Sequence, residues 1–297
     1  MSGGPGADVR RVGVVGCGLM GAGIAEVCAR AGLNVVVHEV NEEAAKAGRS
    51  RITSSLDRGV RRGKLTGEER DTALARLRVT SDLLDLSDRD LVVEAATENE
   101  AVKLDLFAAL DRIVVREDAL LASNTSSLPI MKLGMATTRP HQVIGVHFFN
   151  PVPVLGLVEI VPSLLTAPQT QHRAEEFVTG ILAKQVIRSQ DRAGFVVNAL
   201  LVPYLLSAIR MVESGFASAE DIDKGMVLGC AHPLGPLSLA DLIGLDTLAA
   251  IADAMYADFK EPLHAAPPLL LRMVEAGLLG RKSGRGFHDY PNTQKGS

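Results

Sequence analysis

The segment that most restricts what this chain can fold into is Gly16-Cys17-Gly18-Leu19-Met20-Gly21. It follows the apolar run Val12–Val15 and opens a stretch, residues 21–31, of helical composition. The valine-rich residues 34–39 then read as a second strand. Three glycines at this spacing have separate tasks. The first permits a tight turn, the second lets backbone approach a pyrophosphate, and the third lets helix and strand pack closely. Free N–H groups and the positive dipole end at the helix start then attract phosphate. A plain packing turn is the alternative, and the strand–loop–helix–strand context argues against it.

The alternation continues along the chain. Residues 42–62 have helical composition up to Gly63, and a further helix is expected from about Thr66, where Thr66-Gly67-Glu68-Glu69 has the pattern of a capping box. These two helices read as a hairpin inserted into the α/β order. Residues 79–80, 91–94, 119–122, 143–146, 157–161 and 185–188 read as strands, with helices over 102–115 and 169–182. The pattern implies an α/β class: a Rossmann-like, doubly wound, mostly parallel sheet covered on both faces. After Asp191 only helical segments follow (195–213, 218–228, 245–258 and 269–276), with a kink expected at Pro203. Two domains are therefore expected, 1–189 for the nucleotide and an all-helical 190–297.

With 297 residues, 47% hydrophobic and 22% charged, the chain has enough apolar material for substantial cores, and its net charge of −4 gives no electrostatic case for a nucleic-acid partner. No apolar run approaches the roughly 18 residues needed to cross a bilayer. The N-terminal Met1–Ala7 lacks a basic start and an apolar centre, so it reads as a tail rather than a signal peptide. Cys17, Cys28 and Cys230 are odd in number and lack CxxC spacing, so neither disulfides nor a metal site is expected, and the setting reads as cytoplasmic.

Glu39 ends the second strand at about the 20-residue spacing expected of an acid that binds a ribose diol. A 2′-phosphate beside that carboxylate is repelled by several kcal/mol at an effective dielectric near 20. No Lys or Arg follows within the next few residues to offset it, so NAD is expected over NADP.

The other half of a redox reaction lies further on. Apolar strands end, or nearly end, in Ser123-Asn124-Thr125-Ser126-Ser127-Leu128, in His147, and around Glu159. A hydroxyl, an imidazole and a carboxylate gathered at strand ends suit proton transfer at a carbon–oxygen centre. Glu159 sits in an apolar run where burial without a partner is costly. A nearby imidazole removes that cost; a Glu159 facing water on an edge strand is the alternative.

Several motifs together resemble the 3-hydroxyacyl-CoA dehydrogenase family, in its short stand-alone 3-hydroxybutyryl-CoA dehydrogenase form. They are the glycine loop, Glu94-Ala-Ala-Thr-Glu-Asn99 with Lys103, residues 123–128, His147-Phe-Phe-Asn-Pro-Val-Pro153, Gly194-Phe-Val-Val-Asn198, His232-Pro-Leu-Gly-Pro236 and Lys282-Ser-Gly-Arg-Gly-Phe287. They cover nearly the whole chain in the family's order.

The resemblance implies NAD-dependent interconversion of an (S)-3-hydroxyacyl-CoA, of short chain, and its 3-keto form. His147 would be the general base paired with Glu159. Ser126 and Asn198 would hold the substrate; choosing Ser126 over Ser127 rests on the motif alone. Gly16, Gly18, Leu19, Met20, Gly21 and Glu39 would bind NAD, with Glu98 and Lys103 flanking its nicotinamide side and Asn150 binding the cofactor where it helps to frame the pocket. The alternative for Glu98 and Lys103 is an exposed pair at a helix start. The hairpin carries Arg58, Arg61, Arg62 and Lys64, ordinarily a solvated face; by position in the family Ser55 and Arg62 would touch coenzyme A. A homodimer through the helical domain is also implied. Two departures stand out: Arg192-Ala193-Gly194, where the family usually has a proline before the glycine, and His38, to which no function is assigned. A dehydrogenase of a free 3-hydroxy acid (gulonate 3-dehydrogenase-like) and a non-catalytic NAD-binding protein are the competing readings.

Overall fold

The computed structural model describes residues 9–290, so the N-terminal tail Met1–Ala7 lies outside them. The first unit contains β1 (Arg11–Val15), α1 (Leu19–Arg30), β2 (Asn34–His38), α2 (Glu42–Arg61), α3 (Gly67–Ala75), β3 (Leu77–Thr80), β4 (Leu91–Glu94) and α4 (Glu100–Ile113). It continues through β5 (Leu120–Ser123), α5 (Ile130–Met135), β6 (Val143–Phe148), β7 (Leu157–Pro162), α6 (Pro168–Glu176) and β8 (Gln185–Arg188). The strands form one sheet in the order β3-β2-β1-β4-β5-β6-β7-β8. All neighbours are parallel except β6 and β7.

Strand order reverses between β1 and β4, and such a reversal opens a crevice beyond the carboxyl ends of the two strands. The glycine loop leaves β1 there. The central strands read as unbroken apolar runs because helices cover both faces: every residue of β4, β5 and β6 is buried. The hairpin forms as its local sequence dictates. Asn41 caps α2, and Thr66 and Glu69 complete a reciprocal capping box on α3.

The chain divides into two compact units after Asp191. The second contains α7 (Val197–Glu213), α8 (Ala219–Cys230), α9 (Pro236–Ile243), α10 (Leu245–Phe259) and α11 (Pro268–Glu275) around its own core, which includes Leu205, Leu206, Ile209, Leu237, Leu248 and Met255. Pro203 sits inside α7, and the helix is continuous through it. Two buried carboxylates organise this unit. Asp223 accepts from the N–H groups of Leu237 and Ser238 at the start of α9 and contacts His288 Nε2 at 2.9 Å. Asp241 accepts from the N–H groups of Phe287 and His288, pinning the end of the described chain to α9. Asp241 thus gives the 282–287 motif a structural task through Phe287, and the 232–236 motif leads into the helix start that Asp223 holds.

Three local expectations are corrected. His147 lies inside β6 and not beyond it, because the antiparallel partner β7 extends the ladder to Phe148. The helices α5 and α9 are too short for their apolar periodicity to stand out. The helix over residues 169–182 widens at Phe177–Ile181 into a π-helical turn.

Candidate active site

At the end of β1, Gly16 takes φ +88° and its N–H donates to the His38 carbonyl at 2.9 Å. A Cβ on Gly21 would lie 1.9 Å from the Gly16 carbonyl oxygen, so helix and turn approach as only glycine allows. Gly18 differs: a Cβ there would meet no protein atom within 4 Å. What a side chain would obstruct at Gly18 is therefore the space beyond the loop. Helix α1 starts at Leu19 with no side-chain cap, leaving its first N–H groups directed into that space. Leu19 is exposed and Met20 half-buried beside it. Together with Val15, Glu39, Val40 and Val102 they line a cleft of about 540 Å³.

Glu39 Oε1 accepts from the Cys17 N–H at 2.5 Å and Oε2 from the Val40 N–H at 3.2 Å. A carboxylate has about four acceptor positions, so each oxygen retains capacity for a hydroxyl of a diol. Arg51 of α2 donates to the Cys17 carbonyl. This cation lies well along α2 from Glu39 in sequence, and only the folding back of α2 brings it to the loop. Burial, with Glu39 nearby, pushes the Cys17 thiol up to about 12. Burial lowers the basicity of His38, which lines the same cleft.

Beyond β4 and β5 lies a chain of polar groups. Lys103, 1% exposed, places Nζ 2.6 Å from Glu94 Oε1 and 3.2 Å from Glu98 Oε2. The alternative of an exposed pair does not hold for Lys103. Glu98 Oε1 accepts from the Thr125 hydroxyl, from the Ser126 N–H at 3.2 Å and from the Ser127 hydroxyl at 3.0 Å. Burial opposes the charge of Glu98, but the Lys103 ammonium and these hydroxyls outweigh it and hold the carboxyl below its usual value. The two adjacent serines are thereby distinguished. Ser127 turns to Glu98, whereas the Ser126 hydroxyl makes no hydrogen bond among the described residues.

Across the antiparallel β6–β7 ladder, His147 is the register partner of Glu159. Their side chains share a face, and His147 Nδ1 lies 2.7 Å from Glu159 Oε2. Glu159 is fully buried on a strand flanked by β6 and β8, which removes the edge-strand alternative. A slip of one residue would send Glu159 to the opposite face. Such a slip would take the imidazole from a fully buried carboxylate, and a buried acceptor left without its partner costs about 1–3 kcal/mol or more, so the pair itself opposes it. Phe149 packs edge-on against the imidazole with centroids 4.7 Å apart. The Asn124 side chain accepts from the Phe148 N–H at 2.9 Å, tying the end of β6 to the loop after β5. Lys184 donates to the carbonyls of Val152 and Leu155, fixing the turn between β6 and β7.

The remaining candidates are placed as follows. Asn150 is exposed at the turn after β6. Ser55 is half-buried in α2 near Glu26, and Arg62 is exposed at the end of that helix. Asn198 belongs to the second unit, in the first turn of α7. Glu94, Ser123, Thr125, Asn124, Arg51 and Lys184 were not singled out individually as site residues from sequence. Glu94, Ser123, Asn124 and Thr125 stand in quoted motifs, but nothing local marked their tasks.

Comparison with known proteins gives a consistent picture. Residues 11–192 match the 3-hydroxyacyl-CoA dehydrogenase NAD binding domain, and residues 194–290 match the C-terminal domain of the same family. A 3-hydroxybutyryl-CoA dehydrogenase of Mycobacterium tuberculosis is 63% identical over 282 residues, covering 95% of this chain and 99% of the relative. The human mitochondrial hydroxyacyl-coenzyme A dehydrogenase is 41% identical over 289 residues, covering 95% and 91% respectively. The crystal structure of (S)-3-hydroxybutyryl-CoA dehydrogenase from Ralstonia eutropha superposes with a TM-score of 0.89 at 45% identity, covering 96% of this chain and all of that one.

Proposed function

This chain belongs to the 3-hydroxyacyl-CoA dehydrogenase family, NAD-dependent enzymes of 3-hydroxyacyl-CoA oxidation, and from that premise we propose that His147 is its acid–base group and Glu159 the brace. The 2.7 Å contact between Nδ1 and the buried Glu159 carboxylate carries this reading. With Nδ1 committed to Glu159, exchange with the substrate falls to Nε2.

In oxidation, Nε2 of His147 takes the proton of the 3-hydroxyl. Glu159 stabilises the imidazolium that results and holds the ring's orientation throughout. NAD, when bound, supplies the acceptor for the hydride that leaves C3. In reduction the imidazolium returns its proton to the carbonyl oxygen. Ser126 adds a hydroxyl at the reacting oxygen, a role supported by that hydroxyl's having no hydrogen bond among the described residues. Asn198 is assigned to hold the substrate.

NAD is assigned to Gly16, Gly18, Leu19, Met20, Gly21, Glu39 and Asn150, with Glu98 and Lys103 on the nicotinamide side. The open space over Gly18 and the uncapped start of α1 fit a pyrophosphate. Ser55 and Arg62 are assigned to coenzyme A, whose phosphates need cations. The substrate is taken to be a short-chain (S)-3-hydroxyacyl-CoA such as 3-hydroxybutyryl-CoA, as the names of the relatives suggest.

We assign residues 1–189 to NAD binding and 190–297 to substrate binding and dimerisation. Exposed Leu200, Phe216 and Leu228 on the helical unit support a homodimer. The free thiols Cys17, Cys28 and Cys230 fit a cytoplasmic setting, and among the described residues no helix is long and apolar enough to cross a membrane.

The test is NADH oxidation with acetoacetyl-CoA, its longer 3-ketoacyl-CoA homologues and the corresponding free acids. Turnover is expected with the thioesters and highest at short chain length. Preference for a free acid would favour the free-acid dehydrogenase reading, and NADH binding without turnover of any substrate would favour the non-catalytic one.

A further inference from the structure

We propose that Glu94 is a positioning residue for the Ser126 hydroxyl, acting through Lys103 and Glu98. This rests on the reading above that Ser126 touches the substrate.

Glu94 ends β4, the central strand at which the sheet's order reverses, and is fully buried. A carboxylate taken out of water this completely is stable only with its acceptors filled. They are filled from three directions. Oε1 accepts from Lys103 Nζ at 2.6 Å and from the Ala96 N–H at 2.7 Å, and Oε2 accepts from the Ser123 hydroxyl at 2.7 Å. The donors come from α4, from the chain just after β4 and from the end of β5.

Two routes then run from Glu94 to one loop. Through Ser123, whose hydroxyl oxygen also accepts from the Thr125 N–H at 3.2 Å, Glu94 fixes where the loop leaves β5. Through Lys103 it fixes Glu98, which gathers Thr125, the Ser126 N–H and the Ser127 hydroxyl on one oxygen. The Thr125 hydroxyl oxygen in turn accepts from the N–H groups of Ser127 and Leu128. Of the hydroxyls in residues 123–127, only that of Ser126 is unengaged among the described residues. The rest of the loop is tied down around it, as a pre-set hydrogen-bonding group requires.

The charges explain why Glu94 is an acid. Lys103 sits between two carboxylates, only one of which is buried. Replacing Glu94 by Gln keeps the shape but leaves the ammonium paired with Glu98 alone. Lys103 is then drawn toward Glu98 and competes with the three loop donors for its oxygens. Ser126 loses its setting while its own hydroxyl remains.

The experiment is a double-mutant cycle on kcat for acetoacetyl-CoA reduction, using Glu94→Gln, Ser126→Ala and the double variant. Glu94→Gln is expected to lower kcat about tenfold, since misplacement of an ångström can cost up to a hundredfold. In the Ser126→Ala background it should cost less than about twofold further. Multiplicative losses, as a general structural role gives, overturn the proposal, as does unchanged kcat in Glu94→Gln. Full kcat in Ser126→Ala alone would remove Ser126 from the chemistry and this proposal with it, a pattern distinct from multiplicative loss. Should Glu94→Gln not fold, Ser123→Ala, which removes one of the three donors to Glu94, takes its place in the same cycle.

Discussion

Glu39 and Arg51 grip opposite sides of one residue: the carboxylate accepts the Cys17 N–H and the guanidinium donates to the Cys17 carbonyl. No ion pair joins the two directly among the described residues. The glycine loop is thus held from both neighbouring elements, and of the two side chains Glu39 lines the nucleotide cleft.

Cofactor choice should follow from that arrangement. Glu39 repels a 2′-phosphate by about 4 kcal/mol per unit charge at 4 Å and a dielectric of 20. Arg51, committed to Cys17, offsets little of this. Glu39→Ser is expected to raise kcat/KM for NADPH about tenfold or more and lower it for NADH. Adding Arg51→Ala should leave most of the NADPH gain in place, since Arg51 is committed to the Cys17 carbonyl. Unchanged preference in Glu39→Ser would show that Glu39 does not select the cofactor.

His147→Gln should lower kcat by about 10²–10⁴, the usual contribution of a general acid–base group, while fluorescence titration still shows NADH binding. Glu159→Gln keeps an acceptor for Nδ1 but no charge to stabilise imidazolium. Its loss should be smaller, on the order of tenfold to a hundredfold. Near-normal turnover in His147→Gln would remove the imidazole from the chemistry.

Glu26 offers a pH-dependent test of stability. Burial holds its carboxyl above the usual 4.5, outweighing Ser55 and Arg30, and its Oε2 has no hydrogen-bond partner among the described residues. Because the folded-state value is the higher one, folding favours the protonated form. The group costs nothing at low pH, and stability is lost as pH rises from the unfolded value through the folded one. The Arg30 contact at 3.6 Å is partly exposed and worth little. Glu26→Gln should therefore raise Tm by about 2 °C at pH 8 and not at pH 4, as read by thermal melts. A lower Tm at pH 8 would contradict the assigned cost.

The thiols should separate cleanly. Burial pushes both Cys17 and Cys28 up to about 12, whereas Cys230 is exposed. At pH 8 the thiolate fraction of the buried pair is on the order of 10⁻⁴. Iodoacetamide should label Cys230 alone in the native protein and all the cysteines after denaturation, with mass spectrometry as the readout. Early modification of Cys17 would mean that the glycine loop opens readily.

The sequence by itself determined what short-range rules govern. The β1–glycine loop–α1–β2 unit, the Glu39 position and the capped hairpin after it all follow from periodicity and capping chemistry within a few turns of chain. The motifs alone were enough to point to the family. Only the tertiary structure decided which groups meet. His147 and Glu159 pair because β7 runs antiparallel to β6 in one register, a relation between strands that neither strand encodes. Arg51 reaches Cys17, and Lys103 reaches Glu94, because helices pack back over the sheet. Ser126 is told from Ser127 by which hydroxyl Glu98 engages. Local preference is set by each residue's own backbone and near neighbours, whereas these pairings are fixed by the burial that brings distant segments together and by the cost of leaving a buried charge unmatched.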